Sequence, residues 1–230
     1  MKLVICEKPS VGAAVAAALG VTGKKDGYIE NDKYIISWCI GHLVQLSEAA
    51  AYGEQYRKWS YDSLPILPQE WQYTVAADKG KQFKILKDLM HRADVSEVVN
   101  ACDAGREGEL IFRFVYHQAG CKKPFTRLWI SSMETDAIRS GFEHLKDGRG
   151  YDTLYHSALC RAKADWLIHE IAHAKLHDID LNAPLEDLEN RPDRRTREVQ
   201  AESIAYTVCQ HYGLDTSDYS FGYALYLCEW

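Results

Sequence analysis

Two short apolar runs constrain this chain more than any other feature: residues 2–6 (KLVIC) and residues 98–102 (VVNAC). Each is too short for a buried helix, rich in β-branched side chains, and followed by a polar turn and then a helix-favouring stretch. After the first come Glu7-Lys8-Pro9-Ser10 and an Ala-rich segment, 11–19, which Gly20 ends; Pro and Ser are helix-start signals and Gly a stop. After the second come Asp103 through Glu109 and a helical pattern to about residue 119. Between and beyond them the pattern repeats. Residues 28–38 predict a hairpin around Asn31-Asp32, 71–76 a strand, 81–92 an amphipathic helix, 125–130 a strand and 134–145 a helix. Strands alternating with helices predict an α/β domain with a largely parallel sheet flanked by helices. Residues 48–70 hold Pro65, Pro68 and several aromatics without periodicity and are expected to be an ordered loop. From residue 151 the pattern is helical through 177, then turn-rich and charged over 178–195, then helical again over 196–212, so a helical C-terminal segment follows the sheet.

The net charge of −6 argues weakly against a basic nucleic-acid binder. That average conceals an asymmetry. From His169 onward there are 12 acidic and 5 basic residues; the first 168 residues carry a net charge of +1 and meet no global penalty at a phosphate backbone. Seven cysteines without a C-x-x-C pair fit a reducing compartment. Cys6, Cys39 and Cys102 lie in apolar runs, as buried thiols do. The start MKLVICEKPS has only a four-residue apolar run, unlike a secretory leader. No stretch approaches the roughly 18 apolar residues of a membrane span. A soluble, cytoplasmic chain is expected, with no membrane partner.

In open α/β sheets ligands gather at the carboxyl ends of strands. Two strands here end in acid, one at Glu7 and one at Asp103, and Glu107 opens the helix that follows Asp103. Carboxylates converging on one point suit Mg²⁺, which keeps several waters and is completed by phosphate oxygens. Lys8 is placed to contact such a phosphate. Acids at a helix N-terminus also favour the helix dipole alone, so each acid singly has a bland explanation; two strand ends together favour metal.

These residues carry a resemblance. The Glu7-Lys8-Pro9-Ser10 start, Gly41-His42-Leu43, Lys81-Gln82, Asp103 through Leu110, residues 127–132 (RLWISS) and residues 161–167 (RAKADWL) resemble, in order, the Toprim domain of type IA DNA topoisomerases, of the topoisomerase III kind. The resemblance runs over about residues 1–168. It implies a Toprim fold, Mg²⁺ as cofactor, single-stranded DNA bound through its phosphates, Glu7 as the catalytic acid, Lys8 as its phosphate-directed neighbour, and Asp103 and Glu107 as metal ligands. Two departures stand out. Gly105 occupies the position where the family's middle Asp is expected, leaving that ligand place to water or phosphate. The family's nucleophilic tyrosine belongs to a later domain, and none of the 14 tyrosines here sits in that motif.

A second motif lies just past the first resemblance. Residues 169–173 read HEIAH, the HExxH spacing that puts two imidazoles on one helical face to hold zinc, with the Glu activating a bound water. Downstream, Glu198 and Glu202 share one face of a predicted helix. Residues 169 to about 223 resemble ImmA-like zinc metallopeptidases. That resemblance implies Zn²⁺ held by His169, His173 and Glu198, with Glu170 as general base and Glu202 as a supporting partner; the two downstream glutamates are interchangeable at this point. Two histidines satisfied on an ordinary surface helix are the bland alternative. No sheet of its own precedes the motif, so the sequence reads as a junction near residue 168 between two incomplete modules.

The expected organisation is a Toprim-like domain over 1–150, the start of a helical topoisomerase domain over 151–168, and a truncated HExxH segment over 169–230. The expected function is the Mg²⁺-binding N-terminal part of a type IA topoisomerase, inactive in isolation. The rivals are a zinc metallopeptidase-like protein of a mobile element and a non-catalytic DNA-binding module.

Overall fold

The first apolar run forms β1 (Lys2–Cys6) and lies at the centre of a seven-stranded sheet in the computed structural model, which describes residues 1–58, 61–177 and 192–214. The other strands are β2 (Gly23–Lys25), β3 (Tyr28–Glu30), β4 (Tyr34–Trp38), β7 (Glu97–Ala101), β8 (Phe125–Arg127) and β9 (Lys146–Asp147). Their order is β2-β3-β4-β1-β7-β8-β9. The four central strands, β4, β1, β7 and β8, run parallel, and antiparallel strands close both edges. A separate pair, β5 (Val44–Leu46) and β6 (Tyr73–Val75), forms a second small sheet. Central parallel strands are buried on both faces, and the continuous run Leu3, Val4, Ile5 and Cys6 is fully buried accordingly.

Helices cover both faces. They are α1 (Pro9–Leu19), α2 (Gly80–His91), α3 (Arg106–Gln118) and α4 (Thr135–Glu143). On one face Val4, Cys6, Ile36, Val99 and Ala101 pack with Val15, Ala16 and Ala18 of α1 and Ile138 of α4. The other face carries three buried polar strand residues, Ser37, Asn100 and Arg127, and each finds a partner on a helix. Ser37 Oγ lies 3.2 Å from Gln82 Nε2 of α2, and Asn100 Nδ2 donates to Glu109 Oε2 of α3 at 2.9 Å. Gly20 ends α1 in the left-handed conformation (φ 68°) and its N–H caps the last turn.

The chain divides into two compact units, residues 1–45 with 73–158, and residues 46–72 with the chain from 159 onward. A single 26-residue helix, α5 (Asp152–His177), carries the chain from one to the other without a break at Leu167. In the second unit, residues 46–72 contain three short 3₁₀ turns, Ala49–Tyr52, Glu54–Tyr56 and Tyr61–Ser63. Their aromatic residues pack inside that unit: Tyr52, Trp71 and Trp166 meet edge to face at centroid distances of 5.3–6.4 Å, and Trp166 Nε1 donates to the Ser47 carbonyl at 3.0 Å. The last helix, α6 (Arg194–His211), begins two residues before the expected Thr196, because Asp193 caps it through a 2.7 Å bond from the Thr196 amide. Of the turn-rich stretch 178–195, residues 178–191 lie outside the described residues, as do residues 215–230 of the expected HExxH segment.

The strand expectations need correction at four places: β2, β5 and β9 are unexpected, and one expected strand is shorter. β2 and β9 are exposed edge strands with no apolar alternation, so the periodicity gave no sign of them. The strand expected over 125–130 stops at Arg127, where the side chain turns inward to bind backbone carbonyls.

Candidate functional site

Parallel pairing puts the ends of β4, β1, β7 and β8 on one edge of the sheet. Cys6 pairs with both Trp38 and Ala101, so Glu7 emerges level with Cys39 and Cys102, one residue before Asp103. Glu7 is 8% exposed and its Oε1 lies 3.4 Å from Lys8 Nζ, whose side chain reaches solvent. Lys8 is also the residue from which α1 starts, with Pro9 in the first turn.

The Asp103 side is built by close backbone approach. Gly105 precedes α3 in an extended conformation, and Glu107 stands in the first turn of that helix. A Cβ on Gly108 would meet the Asp103 carbonyl oxygen at 2.2 Å, so only glycine lets the helix sit this close to the loop. A Cβ on Gly105, by contrast, meets nothing within 4 Å, so the missing carboxylate at that position reflects no lack of room. Glu107 Oε2 lies 3.3 Å from His42 Nε2, and neither carboxylate oxygen, though buried, makes a hydrogen bond among the described residues. Buried acceptors left this way call for a cation or water. Glu7, Asp103 and Glu107 therefore share a sheet edge, but their oxygens do not all gather within 4.8 Å of one another.

Beneath this edge lies a network to which the sequence assigned no role. Arg127, fully buried, donates to the carbonyls of Cys102 and Asp103, each at 2.6 Å, and pairs with Glu109 at 3.1 Å. Glu109, also fully buried, accepts from Arg113 Nε and Asn100 Nδ2, each at 2.9 Å. Arg113 continues to Asp152 at 2.6 Å. Burial raises the Glu109 carboxyl above its ordinary range against the pull of Arg127 and Arg113, and burial lowers the Arg127 guanidinium. A guanidinium holding two consecutive carbonyls fixes the loop that carries Asp103. In the sequence His42 stands out only as part of the Gly41-His42-Leu43 segment; its contact with Glu107 joins it to this edge. Burial pushes the Cys6 thiol up, and a hydrogen bond to Cys39 followed by burial pushes up that of Cys102, which keeps both protonated and poor nucleophiles.

The second unit holds a different cluster. His169 and His173, one turn apart on α5, come together with Glu198 of α6, and their ligand atoms all lie within 4.8 Å of one another. Among the described residues this is the one such group of three. Glu198 Oε2 is 3.7 Å from His169 Nε2 and 3.3 Å from His173 Nε2, and Glu202 Oε2 lies 3.6 Å from His169 Nε2. Geometry thus separates two glutamates that sequence left interchangeable. Glu170 is buried at 7% exposure on the same helix. The His169 imidazole is lowered to about 4, first by burial and then by His173, so it is neutral at pH 7, as a metal ligand must be.

None of the described helices is long and apolar enough to cross a membrane. The chain is 46% identical over 166 residues to DNA topoisomerase 3 from Bacillus licheniformis, covering 72% of this chain and 23% of that protein. It is 48% identical over 167 residues to DNA topoisomerase 3 from Shouchella clausii, covering 73% and 23%. It thus spans about a quarter of the length of these relatives. Among solved structures, full-length topoisomerase I from Thermotoga maritima aligns with a TM-score of 0.48 and 18% identity, covering 74% of this chain and 24% of that one. Residues 2–133 match the Toprim domain. With more than half of its length in that match and acids at the ends of its central parallel strands, the chain belongs to the Toprim domain family.

Proposed function

We propose that residues 1 to about 168 are the Mg²⁺-binding N-terminal part of a type IA DNA topoisomerase, acting on single-stranded DNA through its phosphates. One observation carries the reading: the buried Glu107 carboxylate, without a hydrogen bond among the described residues, stands at the sheet edge that also carries Glu7 and Asp103. Glu7, Asp103 and Glu107 would hold Mg²⁺, which when bound supplies positive charge against phosphate oxygens. The chain's own residues do the rest. Lys8 Nζ, exposed beside Glu7, attracts and orients a phosphate. The Glu7 carboxyl, nearly buried, can pass a proton to the sugar oxygen that leaves when a strand is cut and take it back on rejoining. Arg127, through the Asp103 carbonyl, keeps the acidic loop in place. The attacking tyrosine belongs to the part of the relatives that this chain does not match, so cleavage is assigned to the complete protein. On the domain plan this follows, 1–150 is the Toprim-like domain and 151–168 begins the helical domain. Buried, protonated thiols agree with a reducing cytoplasmic setting.

The test is Mg²⁺ titration calorimetry with single-stranded oligonucleotide anisotropy. Glu107→Gln and Asp103→Asn should each weaken Mg²⁺ by about tenfold or more and reduce Mg²⁺-dependent DNA binding. Unchanged Mg²⁺ affinity in both would defeat the proposal.

A second reading concerns residues 169–230 and rests on the His169–His173–Glu198 cluster. Two imidazoles and a carboxylate are the donor set of a zinc site, and an ImmA-like metallopeptidase fragment of a mobile element is the family reading that goes with it. On it Glu170 serves as general base, Glu202 as support. Stoichiometric zinc in the purified chain, lost in His169→Ala, supports it; zinc-free protein that takes up none refutes it.

A further inference from the structure

HExxH accounts for two histidines of α5, but the column on this face has three. His177 follows His173 by one turn, with ring centroids 5.2 Å apart, and is 3% exposed. Its two nitrogens each face a neighbour. His177 Nδ1 lies 3.1 Å from His173 Nδ1, and His177 Nε2 lies 3.0 Å from Gln200 Oε1 of α6.

With a cation held at His173 Nε2, that nitrogen carries no hydrogen, so His173 Nδ1–H donates to His177 Nδ1 and His177 Nε2–H donates to Gln200 Oε1, an amide oxygen that can only accept. The Gln200 acceptor favours this order over the reverse one, in which His173 Nε2–H would donate to the Glu198 carboxylate 3.3 Å away. Metal-ligating histidines commonly donate their other N–H to an acceptor that fixes the tautomer and the ring angle.

We infer that His177 and Gln200 are positioning residues for a zinc-class divalent cation held by His169, His173 and Glu198: the relay Gln200–His177–His173 presets the ligating tautomer of His173. The inference rests on the zinc reading above and adds to it two residues that the HExxH spacing does not contain.

The experiment uses the full 230-residue chain, stripped of metal, with Zn²⁺ affinity measured by competition against a chromophoric chelator and the Co²⁺-loaded form followed by its visible absorption. Gln200 is exposed, so its variants should leave the fold intact, checked by far-UV circular dichroism. Gln200→Leu, which removes the acceptor, should weaken Zn²⁺ about tenfold and alter the Co²⁺ bands; His177→Phe, which keeps the ring volume, should weaken it about 10–100-fold. Gln200→Glu, a stronger acceptor, should bind at least as tightly as the unmodified chain, a rescue that a packing role would not produce. If the unmodified chain binds zinc and Gln200→Leu and His177→Phe bind it equally well with unchanged Co²⁺ spectra, the relay is wrong while the site stands. If the unmodified chain binds no zinc, the site and the relay fall together.

Discussion

Arg127→Met tests whether the buried ionic network holds the acidic loop. The substitution keeps an apolar stem in the space but removes the donors to the Cys102 and Asp103 carbonyls, both at 2.6 Å, and the partner of Glu109 at 3.1 Å. Breaking a buried pair from one side costs about 3–5 kcal/mol. Two features place this case at the lower end. Glu109 retains Arg113 and Asn100, each at 2.9 Å, and burial already moves both partners of the lost pair toward their neutral forms. The expected loss is about 3 kcal/mol, a large share of the roughly 5–15 kcal/mol that holds a domain together. In the double variant Arg127→Met with Glu109→Met, no carboxylate is left facing a missing partner, so it should be less destabilised than the sum of the singles by about 2 kcal/mol. Urea unfolding followed by circular dichroism measures the loss, and hydrogen exchange at β7 and β8 localises it, which matters in a chain of two units. Single effects that add within about 0.5 kcal/mol, or an Arg127→Met cost under about 1 kcal/mol, would refute the reasoning.

The other substitutions probe the same elements from different sides. Gly108→Ala drives a Cβ to 2.2 Å from the Asp103 carbonyl oxygen and should cost about 1–3 kcal/mol and weaken Mg²⁺, read by thermal melts and calorimetry; a neutral result would show that the loop yields. Gly105→Asp meets no steric obstacle and adds a charge near the metal, so Mg²⁺ should bind more tightly by about 1–2 kcal/mol; unchanged affinity would mean that the new carboxylate points away. Ile168→Pro sits in the interior of the 26-residue α5 and should cost about 3 kcal/mol with loss of helical dichroism, whereas a silent substitution would contradict a continuous helix. Incubated with single-stranded DNA and Mg²⁺, the 230-residue chain should give no protein-linked strand on a denaturing gel, because metal and a general acid cannot replace an in-line nucleophile; an adduct abolished by mutating one tyrosine would identify that nucleophile within the chain.

The central sheet was legible because parallel strands buried on both faces must be short, apolar and β-branched, and β1 and β7 are all three. Glu7, Asp103 and Glu107 followed from the same logic, since a polar residue directly after such a strand lies at the carboxyl edge. What stayed hidden depends on contacts remote in sequence. Asn100 and Arg127 look like polar interruptions of apolar runs until Glu109, nine positions after one and eighteen before the other, is seen between them. Tyr52 and Trp71 carry no period because they pack against Trp166, far along the chain. Edge strands β2 and β9 need only backbone pairing and so leave no apolar signature. In the second unit HExxH marked two histidines of the cluster, but choosing Glu198 over Glu202 and recognising His177 both required the placement of α6 beside α5.

The two candidate centres differ in donor chemistry, and on the functions proposed that difference would keep their metals apart. The sheet-edge set offers carboxylate oxygens only, with Glu107 buried and His42 at 3.3 Å as its nearest nitrogen. Oxygen donors suit a hard cation that keeps part of its water, and a set whose carboxylates do not close around a point within 4.8 Å leaves room for that water and for phosphate oxygens. The helical set offers two imidazole nitrogens and one carboxylate packed within that distance. Mg²⁺ gains little from imidazole and gives up its water reluctantly, whereas Zn²⁺ favours nitrogen and tolerates a small, nearly dry, four-coordinate site. The His169 imidazole, held neutral down to about pH 4 mainly by burial, offers its lone pair at neutral pH with no proton to displace. On the functions proposed, selectivity at both centres would therefore arise from which donors the backbone brings together and how closely, rather than from the number of acidic residues nearby.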